Sequence, residues 1–238
     1  MNTELLLGVI AFSTSLIAAI VGFGGGMLLI AILPILIAPA LVIPIHGITQ
    51  IASNASRAAF SFSYVKWSLF PVFLVGSIAG TFLFGLVLYA LPTTYIPLLI
   101  GAYLLLNLWH RPFADFIRKF ESYHLIGQLQ TGLGLFMGAT GPLSLSVLTK
   151  ELKSKDEVVA TSAVFMTISH LTKIPVFMLV THMLWQSLEL ILGMVLGSIL
   201  GSFVGTKLRL KASNAELIAV INLLLTLLAL HMIFAVFA

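Results

Sequence analysis

Apolar residues run through this chain in long blocks, broken by short polar bursts. The blocks fall at about 5–21, 27–45, 47–65, 69–91 and 95–109. After a polar stretch at 110–123 they resume at 125–139, 142–148, 158–181, 186–206 and 217–237. A straight helical crossing of a bilayer needs about 20 such residues, so most blocks predict membrane-spanning helices. The pieces on either side of 138–142 are too short to cross separately. They predict either a re-entrant pair of half-helices or one broken crossing. The first two blocks, joined at 22–26, are long enough to be two full crossings or a re-entrant hairpin.

Composition agrees. Of 238 residues, 60% are apolar and 8% are charged, against about 25% charged in soluble domains, and mean hydropathy is +1.13. That predicts an integral membrane protein with one membrane domain over 1–238 and no sizeable soluble part. A net charge of +4 follows from basic cytoplasmic loops in a chain with few acids and does not point to nucleic acid. Cysteine is absent, which excludes disulfides, thiolate metal sites and a cysteine nucleophile. The first residues lack the basic region of a secretory signal, so the first block is expected to be retained.

Basic residues orient the blocks. Arg111, Arg118 and Lys119 precede the short pair, and Lys150, Lys153 and Lys155 follow it. The positive-inside rule puts both clusters in the cytoplasm, which makes 125–148 a hairpin that enters and leaves on one side. The block at 158–181 then runs outward and 186–206 returns to cytoplasmic Lys207, Arg209 and Lys211. Working backward, 47–65 runs inward to cytoplasmic Lys66, and both termini are predicted outside. Of the 12 Lys and Arg residues, this topology leaves only Arg57 and Lys173 within apolar blocks.

Those two cations occupy the same place in two copies of one motif. At an offset of 116, Ser53 pairs with Ser169, Asn54 with His170 and Arg57 with Lys173. At the same offset, the run Val21 to Gly26 matches Met137 to Pro142. With a slip of one or two residues, Trp67 matches Trp185, Gly76 matches Gly193 and Gly80 matches Gly197. The chain thus divides into a first repeat at 1–109, a cytoplasmic linker at 110–123 and a second repeat at 124–238. Each half has a hairpin and three crossings, and the odd number inverts the second copy. Inverted repeats with broken helices meeting near mid-membrane are common in secondary transporters.

Cations inside a membrane are costly unless an anion visits them. Arg57 offers a fixed fork of donors and Lys173 a mobile point charge; the bland alternative is that both snorkel to the surface. Ser53 and Arg57 share a helix face, as do Ser169 and Lys173. Asn54 and His170, one position round, can donate to a bound oxygen, with Thr49 and Gln50 in support; interhelical hydrogen bonding is the competing role. Gly24, Gly25 and Gly26, with Thr140 and Gly141, predict helix breaks whose free N–H groups face an anion. Close helix packing through small residues is the alternative. No strand precedes the glycines and no Gly-Lys-Ser/Thr follows, so they are not a nucleotide loop. His46, His182 and His231 fall near block ends and read as interfacial. Trp67, Tyr95, Trp109, Tyr123 and Trp185 read as an aromatic belt. No carboxylate lies at mid-membrane, which leaves His170 as the central group that titrates near neutral pH.

With Val21-Gly22-Phe23-Gly24-Gly25-Gly26 after the first block, Pro34 in the next, and Gly138-Ala139-Thr140-Gly141-Pro142 opening the second copy, the chain resembles the sulfite exporter TauE/SafE family of bacterial membrane transporters. The resemblance spans nearly the whole chain, although the second copy has Thr140 and Pro142 where the first has Gly24 and Gly26. It implies a multi-pass protein of the bacterial inner membrane that carries sulfur-containing anions such as sulfite or organosulfonates, usually outward.

The expectation is therefore an all-α polytopic membrane protein built as an inverted repeat. It is expected to be a secondary transporter of a small sulfur oxyanion, with a passive anion channel as the rival. It is not expected to be an enzyme: nucleophile elbow, metal motif and acidic pair are all missing. No cofactor or metal is expected, and the apolar surface would serve a monomer or a homodimer equally.

Overall fold

The computed structural model describes residues 3–22, 24–88, 93–118, 122–152, 154–180, 184, 187–208 and 215–237. Among them are eleven α-helices and no strand. The first half holds α1 (Thr3–Val21), α2 (Gly25–Leu36), α3 (Pro39–Phe60), α4 (Phe70–Leu88) and α5 (Ile96–Trp109). A short α6 (Arg111–Arg118) leads to α7 (Tyr123–Met137), α8 (Pro142–Glu151), α9 (Lys155–Val180), α10 (Leu188–Leu208) and α11 (Ala215–Phe234).

Local chemistry sets the breaks. Gly22, Gly24 and Gly138 have φ of 99°, 90° and 71°, a region open mainly to glycine, and they terminate α1 and α7 and open α2. Proline sits in the first turn of α3, α5 and α8, where its missing N–H costs nothing.

The break after α2 corrects the sequence expectation. The apolar block at 27–45 is not one crossing: α2 stops at Leu36, Ile37 is extended (φ −135°, ψ 159°), and α3 begins at Pro39. Pro34 removes one backbone donor near the end of α2 and Pro39 suits only a helix start, so hydropathy ran across a boundary that backbone chemistry imposes. With 12 residues, α2 is about 18 Å long. The linker at 110–123, polar in sequence, contains α6. Lys119, Glu121, Lys153, His182, Trp185, Arg209 and Lys211 lie outside the described residues.

Four helices, Thr3–Val21, Trp67–Leu88, Lys155–Leu179 and Leu188–Leu208, are long and apolar enough to cross a membrane among the described residues. The outward faces of α4 and α10 are apolar, with Phe82 68% exposed and Leu196 61% exposed, as lipid-facing ridges would be. By contrast α3 is polar inside. His46, Gln50, Ser53, Asn54 and Arg57 fall on one stripe and are all buried. A helix that buries its polar stripe lines an internal site.

Glycines weld the helices in pairs. On α10, Gly197 and Gly201 face the backbone carbonyls of Gly8 and Phe12 on α1, too close for any side chain. On α4, Gly76 and Gly80 face the carbonyls of His124 and Gln128 on α7 in the same way. Small residues let backbones approach closely in membranes. Between these pairs α3 packs on α9, and Phe73 of α4 stacks on Phe165 of α9 with ring centroids 4.0 Å apart.

Two polar contacts tie helix ends together. Lys66, between α3 and α4, pairs with Glu157 of α9 at 2.6 Å, and its backbone N–H donates to Thr161 Oγ1 at 3.0 Å. The Tyr123 hydroxyl at the start of α7 donates to Glu151 at the end of α8. Of the expected aromatic belt, Trp67, Tyr95 and Trp109 are exposed at helix ends.

Candidate functional site

A cavity of about 40 Å³ lies where the two broken hairpins meet α3 and α9. That volume admits about three water-sized groups. Gly22, Gly24 and Gly26 form one wall, Ala139 and Gly141 another, and Gln50, Asn54 and Arg57 a third; Ser162 and Met166 of α9 complete it. Residues separated by more than 130 positions thus converge on one small space.

The wall from α3 is ordered by its own hydrogen bonds. Asn54 Nδ2 donates to the Gln50 carbonyl at 2.7 Å and to Gln50 Oε1 at 3.1 Å. This orients Asn54 Oδ1 to accept from Arg57 Nη2. Arg57 is only 4% exposed, so its guanidinium is held inside the protein and does not snorkel to the surface.

The two helix N-termini at the cavity differ. At α2 the N-cap is Gly24, which has no side chain to offer, and no described side chain accepts from the first-turn N–H groups. At α8 the Ser144 N–H is already taken by Gln130 Oε1 at 3.0 Å, while Thr140 Oγ1 donates to the Gln130 carbonyl at 2.6 Å. The partial positive charge of a helix start is therefore open to a ligand at α2 and largely answered by protein at α8.

Of the residues predicted from sequence, Gly24, Gly26, Asn54, Arg57 and Gly141 line the cavity. The others lie off its described lining. Gly25 packs against the Thr14 carbonyl and Ala18. Ser53 Oγ is 3.2 Å from Ser202 Oγ, and Ser169 Oγ accepts from Thr131 at 3.1 Å. Lys173 is 1% exposed and Nζ points at the Gly134 carbonyl, 3.4 Å away, with Thr140 Oγ1 close to the same glycine. The two cations thus lie in separate settings: Arg57 on the cavity, Lys173 sealed.

His46 corrects another expectation. It is fully buried, not interfacial. Its Nε2 is 3.0 Å from the Gly26 carbonyl, so that nitrogen carries the hydrogen, and its ring meets that of His170 edge-on at 5.4 Å. The available signal was its position on the same stripe as Gln50 and Arg57; proximity to an assumed block end at 45 obscured it. Ser162 and Met166 were not foreseen as lining residues. Met166 stands 116 residues after Gln50, so the repeat itself pointed to it; Ser162 stands 116 after His46, which is not a lining residue, and had no such signal. Glu4, Asp115, Glu151, Asp156, Glu157 and Glu189 are not buried, and among the described residues no cluster of three or more metal-binding side chains occurs.

Apolar helices long enough to cross a bilayer, packed around a cavity that carries a buried arginine, define a multi-pass membrane protein. The Sulfite exporter TauE/SafE family pattern matches residues 7–232, and the chain belongs to that family. Its class is accordingly a membrane transporter of sulfur anions. No curated protein and no solved structure matches the chain.

Proposed function

We propose that the protein is a secondary transporter that exports a small sulfur-containing oxyanion, sulfite or an organosulfonate, by alternating access. The observation that carries this reading is the shared lining: Arg57, the uncapped start of α2 and the break before α8 face one small space. A fixed fork of donors and free helix N–H groups suit an oxyanion. The described lining of the cavity includes no Asp or Glu, which makes a cation a poor occupant.

Alternating access draws support from the packing. Exchanging the halves turns α1 on α10 into α7 on α4, and both pairs exist with the same glycine-to-carbonyl contacts. The Tyr123–Glu151 bond joins the outer ends of α7 and α8, which favours a re-entrant second hairpin. The 12-residue length of α2 favours the same for the first. On this reading Lys173, with Ser169, His170 and Thr140, is the counterpart of the Arg57 wall, and the linker at 110–123 is cytoplasmic.

A thermal-shift series on purified protein tests the site. Ligand stabilisation grows as RT ln(1 + [L]/Kd), so sulfite or a sulfonate should raise the melting temperature where chloride does not. Equal shifts from every anion would reject a specific site. In proteoliposomes, saturable countertransport is expected; flux that rises linearly with concentration would mean a channel.

A further inference from the structure

The two halves pack alike but are not hydrogen-bonded alike. Gly76 and Gly80 meet the carbonyls of His124 and Gln128, and Gly197 and Gly201 meet those of Gly8 and Phe12. Since 124 and 128 follow 8 and 12 by 116, α10 follows α4 by 121 (76 to 197, 80 to 201). This is one helical turn beyond the sequence match of Gly76 with Gly193. In that register Ser202 corresponds to Thr81, Thr131 to Ser15, and Ser169 to Ser53.

Of the four hydroxyl contacts this allows, two are made. Ser53 bonds Ser202 on α10, whose hydroxyl also donates to the Ser53 carbonyl at 3.0 Å. Ser169 bonds Thr131 on α7. The symmetry-related contacts, Ser53 with Ser15 on α1 and Ser169 with Thr81 on α4, are not made. Ser15 Oγ and Thr81 Oγ1 are instead buried with no hydrogen-bond partner. A buried hydroxyl without a partner is costly. Ser61, Ser77 and Tyr103 are such groups too, but Ser15 and Thr81 are the repeat counterparts of the hydroxyls that Ser169 and Ser53 bond.

The same asymmetry runs through the packing and the cavity. The contact of α3 with α10 is more extensive than that of α9 with α4, and α9 touches α7 more than α3 touches α1. Ala18, Gly24, Asn54 and Arg57 line the cavity, whereas their counterparts at 116 further on, Gly134, Thr140, His170 and Lys173, are off it. Thr140, His170 and Lys173 are each 1% exposed.

We propose that Ser15, Thr81, Thr131 and Ser202 are the two ends of a hydrogen-bond exchange that accompanies transport. In the exchange Ser53 passes from Ser202 to Ser15, while Ser169 passes from Thr131 to Thr81. The inference rests on the inverted-repeat, alternating-access reading above. The glycine-welded pairs α1–α10 and α4–α7 move as units, and α3 and α9 each roll from one member of a pair to the other. The roll closes the Arg57 wall and opens the Lys173 wall, so the anion meets arginine from one membrane face and lysine from the other. No bond is lost overall, as a reversible step between states of similar free energy requires.

Because the chain has no cysteine, paired cysteines in the full-length protein in proteoliposomes test this. S53C with S202C, and T131C with S169C, should cross-link at rest. S15C with S53C, and T81C with S169C, should cross-link during sulfite-driven turnover; closing any pair should stop transport, and reduction should restore it. Transport that proceeds while the second two pairs stay open overturns the exchange. Single cysteines at Ser122 and Ser154 that label from opposite faces would overturn the inverted repeat itself, which is a distinct failure. Should a cysteine pair misfold, S15A combined with T81V decides. Both hydroxyls are partnerless in this state, so melting should not fall, while transport should drop about fivefold for each hydrogen bond lost in the other state. Unaltered transport also overturns the exchange.

Discussion

Replacing Arg57 with alanine should abolish the stabilisation of the purified protein by its anion. The guanidinium is 4% exposed and lines the cavity, so a bound oxyanion sits against it. A pair of unit charges about 4 Å apart at an effective dielectric of about 20 interacts by about 4 kcal/mol. That is about three decades in affinity. With anion at about 100 times Kd, the intact protein gains about 2.7 kcal/mol, a rise of about 5–11 °C for a chain of this size. A site weakened about a thousandfold is then only about one-tenth saturated, and the gain falls below about 0.1 kcal/mol. The assay is a melting curve with and without sulfite for both proteins. Lys66→Ala is the control: its 2.6 Å pair with Glu157 is partly exposed, so its loss costs little stability and should leave the anion-dependent shift intact. An Arg57→Ala protein that still responds to sulfite, or equal losses in both variants, would refute the argument.

Lys173→Met should keep the anion-dependent shift, because the amine lies off the cavity beside the Gly134 carbonyl, yet it should abolish turnover in proteoliposomes. Gln130→Leu leaves the Ser144 N–H of α8 without its acceptor and should cost about 1–3 kcal/mol, read as a lower melting temperature. Gly201→Ala drives a methyl into the Phe12 carbonyl and should destabilise by about 1–3 kcal/mol. Gly193→Ala meets only the Glu4 carbonyl at 3.7 Å and should gain up to about 1 kcal/mol of helix propensity; reversed signs would discredit the glycine welds. Single cysteines at Ser122 and Ser154 should label from the same, cytoplasmic face.

Much was legible in the sequence because it is local. Hydropathy identified a helical membrane protein, since a bilayer leaves the backbone few other choices. Glycines and prolines marked the hairpin breaks, since φ and a missing N–H are properties of single residues. The motif around Gly22–Gly26 carried the family. Two cations in apolar blocks stood out because a membrane interior tolerates charge only for a reason.

Other features depended on which helices meet. Hydropathy could not end α2 at Leu36, because Ile37 and Ala38 are as apolar as the helix before them. Periodicity placed Arg57 and Lys173 on equivalent faces, but only packing put one on a cavity and sealed the other beside Gly134. His46 lay near an assumed block end, and its burial against His170 required α3 and α9 to cross. The pairing of α1 with α10 and α4 with α7, and with it the contrast between bonded and unbonded hydroxyls, joins residues 38 or more positions apart. Composition and spacing describe a segment and its own faces; the partner of each face is chosen by close packing of the whole chain.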